Sequence, residues 1–174
     1  VEIDTADAGK AGWILKMLPR RTMLSRRQSA DSPEQVLVSN ADIVLVVASL
    51  RSPPFRNGLV DRFFVAGSCG GLETVLILSK ADLSTEEEIA SIKNLYLSLG
   101  YNILVTSVPE SRGMDSLREL LHHHTSVLCG HSGVGKSSLI KALCPHWNIR
   151  IGDVSGKSGK GRHITRMAEM YRLP

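Results

Sequence analysis

Gly130-His131-Ser132-Gly133-Val134-Gly135-Lys136-Ser137 is a complete instance of the pattern G-x-x-x-x-G-K-S/T. Its flanks decide how it is read. Ser126-Val127-Leu128-Cys129 before it is a short apolar run that predicts a strand, and Ser138-Leu139-Ile140-Lys141-Ala142-Leu143 after it predicts a helix. Strand, glycine loop and helix in that order make a phosphate cradle rather than a glycine-rich turn with a surface lysine. Gly130, Gly133 and Gly135 permit the tight, partly left-handed backbone that turns successive N–H groups inward, and the helix N-terminus faces the same anion. The expected phosphate contacts are Gly130, Ser132, Gly133, Val134, Gly135, Lys136, Ser137 and Ser138. Among them, Lys136 would reach the β- and γ-phosphates, and the Ser137 hydroxyl would be a ligand of Mg²⁺.

Upstream of the loop, strands and helices alternate. Ile43 to Ala48 is a continuous β-branched apolar run, expected as a parallel strand buried on both faces. Arg56 to Ala66 follows with helical apolar spacing in Leu59, Val60, Phe63 and Phe64. Val75 to Leu78 is a second strand, and Ser84 with Glu87 predicts a capping box that starts a helix running to about Gly100, with Ile89, Ile92, Tyr96 and Leu99 as its apolar face. Asn102 to Thr106 is a third strand and Met114 to Leu121 a third helix. The expected fold is therefore α/β, a doubly wound and mainly parallel sheet with ligands at the carboxyl ends of its strands. Ser79 to Asp82, Ser107 and the phosphate loop all lie at such ends, so three separate stretches converge on one crevice.

The 174 residues allow one domain of ordinary size, with 43% apolar and 22% charged residues as in soluble globular proteins. No apolar run approaches the ~18 residues that span a bilayer. The start at Val1 is neither a signal peptide nor a methionine, which predicts a fragment. Cys69, Cys129 and Cys144 have no C-x-x-C spacing, which excludes a zinc cluster or disulfide framework of that kind and points to a reducing compartment. His122-His123-His124 reads as a polar helix C-terminus rather than a metal tract, and Trp147 and Met167 as packing residues. The net charge of +4 is uneven: residues 1–30 hold six Lys/Arg against three acids, and 147–174 hold six against two. Basic ends suit either a nucleic-acid partner or plain solvated surface. Residues 1–35 read as polar and irregular, with strand character only in Ile14 to Leu18 and a linker through Ser29 to Pro33.

A phosphate loop touches only phosphates, so choice of base needs another group. Asp82 at a strand end can accept hydrogen bonds from the N1–H and the exocyclic amine of guanine, a donor pair that adenine lacks. The stem of Lys80 can lie along the base or ribose, and a backbone N–H near Ser107 can meet the guanine 6-oxygen. The bland alternative is a polar strand-to-helix turn. The arrangement resembles the N/T-K-x-D and S-A elements of GTPases, with Ser79 in place of Asn or Thr and Val108 in place of Ala. The Ser79 replacement predicts that a side-chain contact to the phosphate loop is shortened or lost.

Here the base-reading elements precede the phosphate loop, the reverse of ordinary GTPases, which implies a circular permutation. With that order, Asn40-Ala41-Asp42, Ser79 to Asp82, Gly130 to Ser138, Ile151-Gly152-Asp153-Val154-Ser155 and Gly161-Arg162-His163-Ile164-Thr165-Arg166, the chain resembles the ribosome small-subunit-dependent GTPase A family over roughly residues 14–174. The resemblance implies GTP hydrolysis to GDP and phosphate in maturation of the small ribosomal subunit, with GTP/GDP and Mg²⁺ as cofactors and the subunit and its rRNA as partners. It makes Thr165 a second Mg²⁺ ligand in a switch loop that orders around the γ-phosphate. It leaves His163 as an activator of water, a phosphate contact or a surface residue. It further implies residues 1–35 as the tail of an OB-fold-like domain and linker, and 36–174 as a GTPase domain that stops before a D-x-P-G element and a zinc-binding domain. A soluble, monomeric protein of the cytoplasm or a plastid stroma, not bound to membrane, is the matching expectation. The alternative is an incomplete domain that binds nucleotide or rRNA without turnover.

Overall fold

The computed structural model describes residues 2–4, 13–27, 29, 31–146, 170 and 173. Strands β1 (Glu2–Asp4) and β2 (Trp13–Lys16) form an antiparallel pair, as do β3 (Met23–Arg26) and β4 (Gln35–Ser39). The rest alternates: β5 (Ile43–Ser49), α1 (Asn57–Cys69), β6 (Glu73–Ser79), α2 (Glu86–Ser98), β7 (Asn102–Val105), α3 (Met114–Leu121), β8 (Ser126–Cys129) and α4 (Lys136–Leu143).

The parallel sheet has the order β7-β6-β5-β8. All seven residues of β5 are buried, because it lies between β6 and β8 and is covered on both faces. Side chains alternate along it. Val44, Val46 and Ala48 pack with Val60 and Phe64 of α1 and with Ile89 and Tyr96 of α2. Ile43, Leu45 and Val47 face Met114, Leu117 and Leu121 of α3 and Leu139 and Leu143 of α4. Tyr96 donates its hydroxyl to Asp61 at 2.9 Å, which ties α2 to α1, and burial among these side chains raises the pKa of the phenol. The chain adds β6 and β7 outward from β5, then crosses back and adds β8 on the other side. That reversal opens a crevice between the carboxyl ends of β5 and β8.

Several expectations need correction. Residues 1–35 hold strands beyond Ile14 to Leu18, and Ser29 to Pro33 lie in the connection of the β3–β4 hairpin. Short strands rich in Ser, Arg and Gln, half-exposed on one side, give too little apolar signal to be recognised locally. The β3–β4 hairpin spans residue 35, and Leu24 belongs to the core cluster of α1 and α2. The capping box is Thr85 with Glu88, one residue later than expected: Thr85 accepts the Glu88 N–H, and Glu88 accepts the Thr85 N–H. Ser84 instead closes the turn Ala81–Leu83, whose carbonyl at Ala81 accepts its N–H. Leu99 is 60% exposed, since the helix ends before it and Gly100 takes φ +85°. β8 pairs directly with β5 along Ile43 to Val46.

Candidate nucleotide-binding site

The phosphate loop leaves β8 at Gly130 and enters α4 at Lys136. Gly130 has φ +142°, and a Cβ there would stand 2.1 Å from the Val47 carbonyl oxygen at the end of β5. Only a residue without a side chain lets the loop pass this close to the neighbouring strand. Gly130→Ala is therefore expected to cost more than about 2 kcal/mol of stability, from backbone strain and this contact, read as a lower urea midpoint with an unchanged slope. Gly135, at φ +99°, occupies the N-cap of α4 and turns the loop into the helix.

Lys136 lies along the inside of the loop, its Nζ donating to the carbonyls of Gly130 at 3.0 Å and His131 at 2.8 Å. Burial lowers its pKa, an effect opposed in part by Cys129. The same burial pushes the Cys129 thiol up to about 12. A half-buried ammonium whose partners are two neutral carbonyls is poised for an anion. Ser137 and Ser138 follow in the first turn of α4, with Ser137 half-buried and Ser138 exposed.

No group of three or more His, Cys, Asp or Glu side chains able to hold a metal occurs among the described residues. A single hydroxyl such as that of Ser137 suits Mg²⁺ only where phosphate oxygens and water complete the shell, which fits an ion that arrives with the nucleotide.

The residues expected to read the base sit at the ends of β6 and β7. Ser79 is 4% exposed, and its hydroxyl lies 2.5 Å from the Val134 carbonyl of the phosphate loop and 3.1 Å from that of Ala48 on β5. It has one proton to donate, so it serves one carbonyl at a time. The expected shortening or loss of the contact to the loop is thus corrected, because the loop comes close enough for the shorter side chain. Ser79→Ala leaves both buried carbonyls without this donor. It should cost about 1–2 kcal/mol of stability and weaken nucleotide binding severalfold, checked by denaturant unfolding with and without GDP.

Lys80 takes a left-handed backbone at φ +55° and sends Nζ to the Ser52 carbonyl at 2.6 Å, with its Cε close to Gly135. Its side chain therefore crosses above the end of the phosphate loop. Asp82 accepts the Ser107 hydroxyl at 2.6 Å, which orients the carboxylate and joins the β6 and β7 turns. The Ser107 N–H is already donated to the Arg112 carbonyl at 3.0 Å, so the free backbone donor near Ser107 is the Val108 N–H, which enters none of the backbone bonds of this loop, although the Val108 carbonyl accepts the Ser111 N–H.

The described structure thus brings Ser79, Lys80, Asp82, Ser107 and residues 130–138 to one end of the sheet. His163 and Thr165 lie outside the described residues, as do Trp147, Met167 and 151–166. His122 and His123 stand in edge contact at the end of α3, exposed and at the opposite end of the strands. Sequence reading missed the turn after β5, whose Ser52 carbonyl holds Lys80 and whose Pro53 lies beside Gly133 of the phosphate loop. The signal was available: Pro53-Pro54 lies in the turn that leaves the carboxyl end of a strand, where such folds place their ligand-binding turns.

The family profile described as RsgA GTPase matches residues 17–174. A protein of Moorella thermoacetica named small ribosomal subunit biogenesis GTPase RsgA is 41% identical over 174 residues, all of this chain and 56% of the relative. The chain spans about half the length of the curated relatives it matches. Among solved structures, YjeQ from Thermotoga maritima aligns with a TM-score of 0.67 at 32% identity over 84% of this chain and 50% of that one. YloQ, described as a circularly permuted GTPase, aligns with a TM-score of 0.55 at 31% identity, over 80% of this chain and 47% of its own. The turns after β6 and β7, encoded ahead of a phosphate loop that folds to the same end of the sheet, have the order of a circularly permuted GTPase, and this chain belongs to the RsgA GTPase family.

Proposed function

We propose that this chain binds GDP and GTP across the carboxyl ends of its parallel strands, with the phosphates at the β5–β8 crevice and the base at the ends of β6 and β7, and is the nucleotide-binding part of a protein that hydrolyses GTP in biogenesis of the small ribosomal subunit. The observation that carries the nucleotide reading is the Asp82–Ser107 hydrogen bond at 2.6 Å, on the same end of the sheet as the loop around Lys136. A carboxylate held by one oxygen keeps the other for the N1–H and amine of guanine, and the Val108 N–H suits the 6-oxygen. Lys136 and the N–H groups of residues 132–138 hold the β- and γ-phosphates, with Ser137 toward Mg²⁺ and Thr165 as its second protein ligand. The ion, when bound, offsets charge that builds on the phosphate oxygens. His163 is assigned to the water that attacks the γ-phosphate. The small subunit and its rRNA as partners, a monomeric state and a cytoplasmic location rest on the family. The basic ends of the chain suit rRNA phosphates. No helix among the described residues is long and apolar enough to cross a membrane. In this reading the GTPase domain includes the β3–β4 hairpin, and β1–β2 belongs to a preceding domain.

Titration with fluorescent GDP, competed by GDP, GTP and ATP, tests the site. Displacement by both guanine nucleotides and not by ATP is expected, and equal displacement by ATP overturns the guanine assignment. Phosphate release from GTP, measured with and without small ribosomal subunits, then separates a hydrolase from a module that binds without turnover.

A further inference from the structure

Arg112 makes two kinds of contact that no nucleotide-binding pattern requires. Through its backbone it closes the turn after β7: its N–H donates to the Ser107 carbonyl and its carbonyl accepts the Ser107 N–H, both at 3.0 Å. Through its side chain it reaches Glu86 in the first turn of α2, with Nη1 at 2.6 Å from Oε1 and Nη2 at 3.1 Å from Oε2. Two parallel N–H to oxygen bonds fix direction as well as distance, which a single charge contact does not. The five residues between Ser107 and Gly113 thus form a loop anchored at one end by strand β7 and at the other by helix α2.

That loop carries Val108, whose free N–H is assigned to the guanine 6-oxygen in the reading above. Its partner in base recognition, Asp82, lies four residues before Glu86, in the turn that leads into α2. The two halves of the guanine reader come from different strands. Ser107 on Asp82 joins them on the nucleotide side, and Arg112 on Glu86 joins them on the outer side.

We infer that Arg112 is a positioning residue for base recognition, holding the Val108 N–H in register with Asp82 through its paired hydrogen bonds to Glu86. It does not touch the nucleotide. The inference rests on the guanine reading of the site. Because the Arg112 side chain is 38% exposed and that of Glu86 70%, water and salt screen the pair, and its loss is worth a severalfold change rather than abolition of binding.

The test uses affinities of the full chain for GDP, IDP and 6-thio-GDP. IDP lacks only the amine read by Asp82, whereas 6-thio-GDP keeps N1–H and amine but replaces the 6-oxygen by sulfur, a weak acceptor. In Arg112→Met the preference for GDP over 6-thio-GDP is expected to fall about three- to fivefold, with the preference for GDP over IDP unchanged. R112E combined with E86R should restore the first preference. Equal weakening of all three nucleotides, or no change in either ratio, overturns the role of Arg112 while leaving the guanine site standing. Failure of the unsubstituted chain to prefer GDP over ATP overturns the guanine reading, and the inference with it.

Discussion

Lys136→Ala is expected to weaken GDP and GTP binding by at least about a hundredfold, measured by fluorescent-nucleotide titration, with little change in folding. The direction follows from what the lysine does without nucleotide: its Nζ donates to two neutral loop carbonyls, Gly130 and His131, from a half-buried position. Hydrogen bonds that involve a charged group are worth about 1.5–3 kcal/mol each, and phosphate replaces weak partners by strong ones. Removing the ammonium takes away charge compensation for the β-phosphate that no other described side chain inside the loop supplies. Stability should change little, because the buried ammonium itself carries a desolvation cost.

The same burial gives a pH signature. The pKa of Lys136 is lowered in the folded chain, so the unfolded chain binds the proton more tightly. Stability gains as pH rises through the window between the lowered value and that of an ordinary lysine, near 10.4. Nucleotide phosphate favours the charged form and so raises that pKa, which means GDP affinity falls over the same alkaline window. Affinity that stays flat until ordinary lysines titrate would contradict this account.

Asp82→Asn should convert the base preference, lowering GDP affinity about a hundredfold while XDP binding appears. Ser107 donates its hydroxyl proton to one oxygen of Asp82, so the amide in the variant keeps its carbonyl oxygen there and turns its NH₂ toward the base. An NH₂ facing the guanine amine sets donor against donor and leaves buried polar groups unpaired, which is where large discrimination factors arise. Xanthine carries a carbonyl at that position and accepts the new donor. Parallel titrations with GDP and XDP check the exchange, and loss of both without gain for XDP would place Asp82 outside the base contact.

The phosphate loop and the parallel strands around it were legible because their signals are local. Gly130, Gly135 and Lys136 at fixed spacing leave few structures open to the backbone, and Ile43 to Ala48 is too apolar to lie anywhere but between two helical layers. The β3–β4 hairpin was not legible: Met23 to Arg26 is held by pairing with Gln35 to Ser39 and by the bond from the Met23 N–H to the Gly70 carbonyl, partners remote in sequence. The cap at Thr85 rather than Ser84 turned on where the preceding turn ends: its Ala81 carbonyl takes the Ser84 N–H, so the helix starts one residue later.

By itself, then, the sequence determined the chemistry on offer: a phosphate loop, a carboxylate at a strand end, a permuted order of the two, and the helical and strand periods that bury one sheet. Only the tertiary structure decided how these parts meet. That β8 pairs directly with β5, that the Ser79 hydroxyl reaches the loop carbonyl of Val134 despite its length, that the Ser107 N–H is spent and the Val108 N–H left free, and that Arg112 clasps Glu86 are all facts of distance between residues far apart in the chain. Residue type sets what a group can donate or accept, whereas the crossing of the sheet at β5 and β8 sets which groups lie within about 3 Å of one another, where hydrogen bonds act.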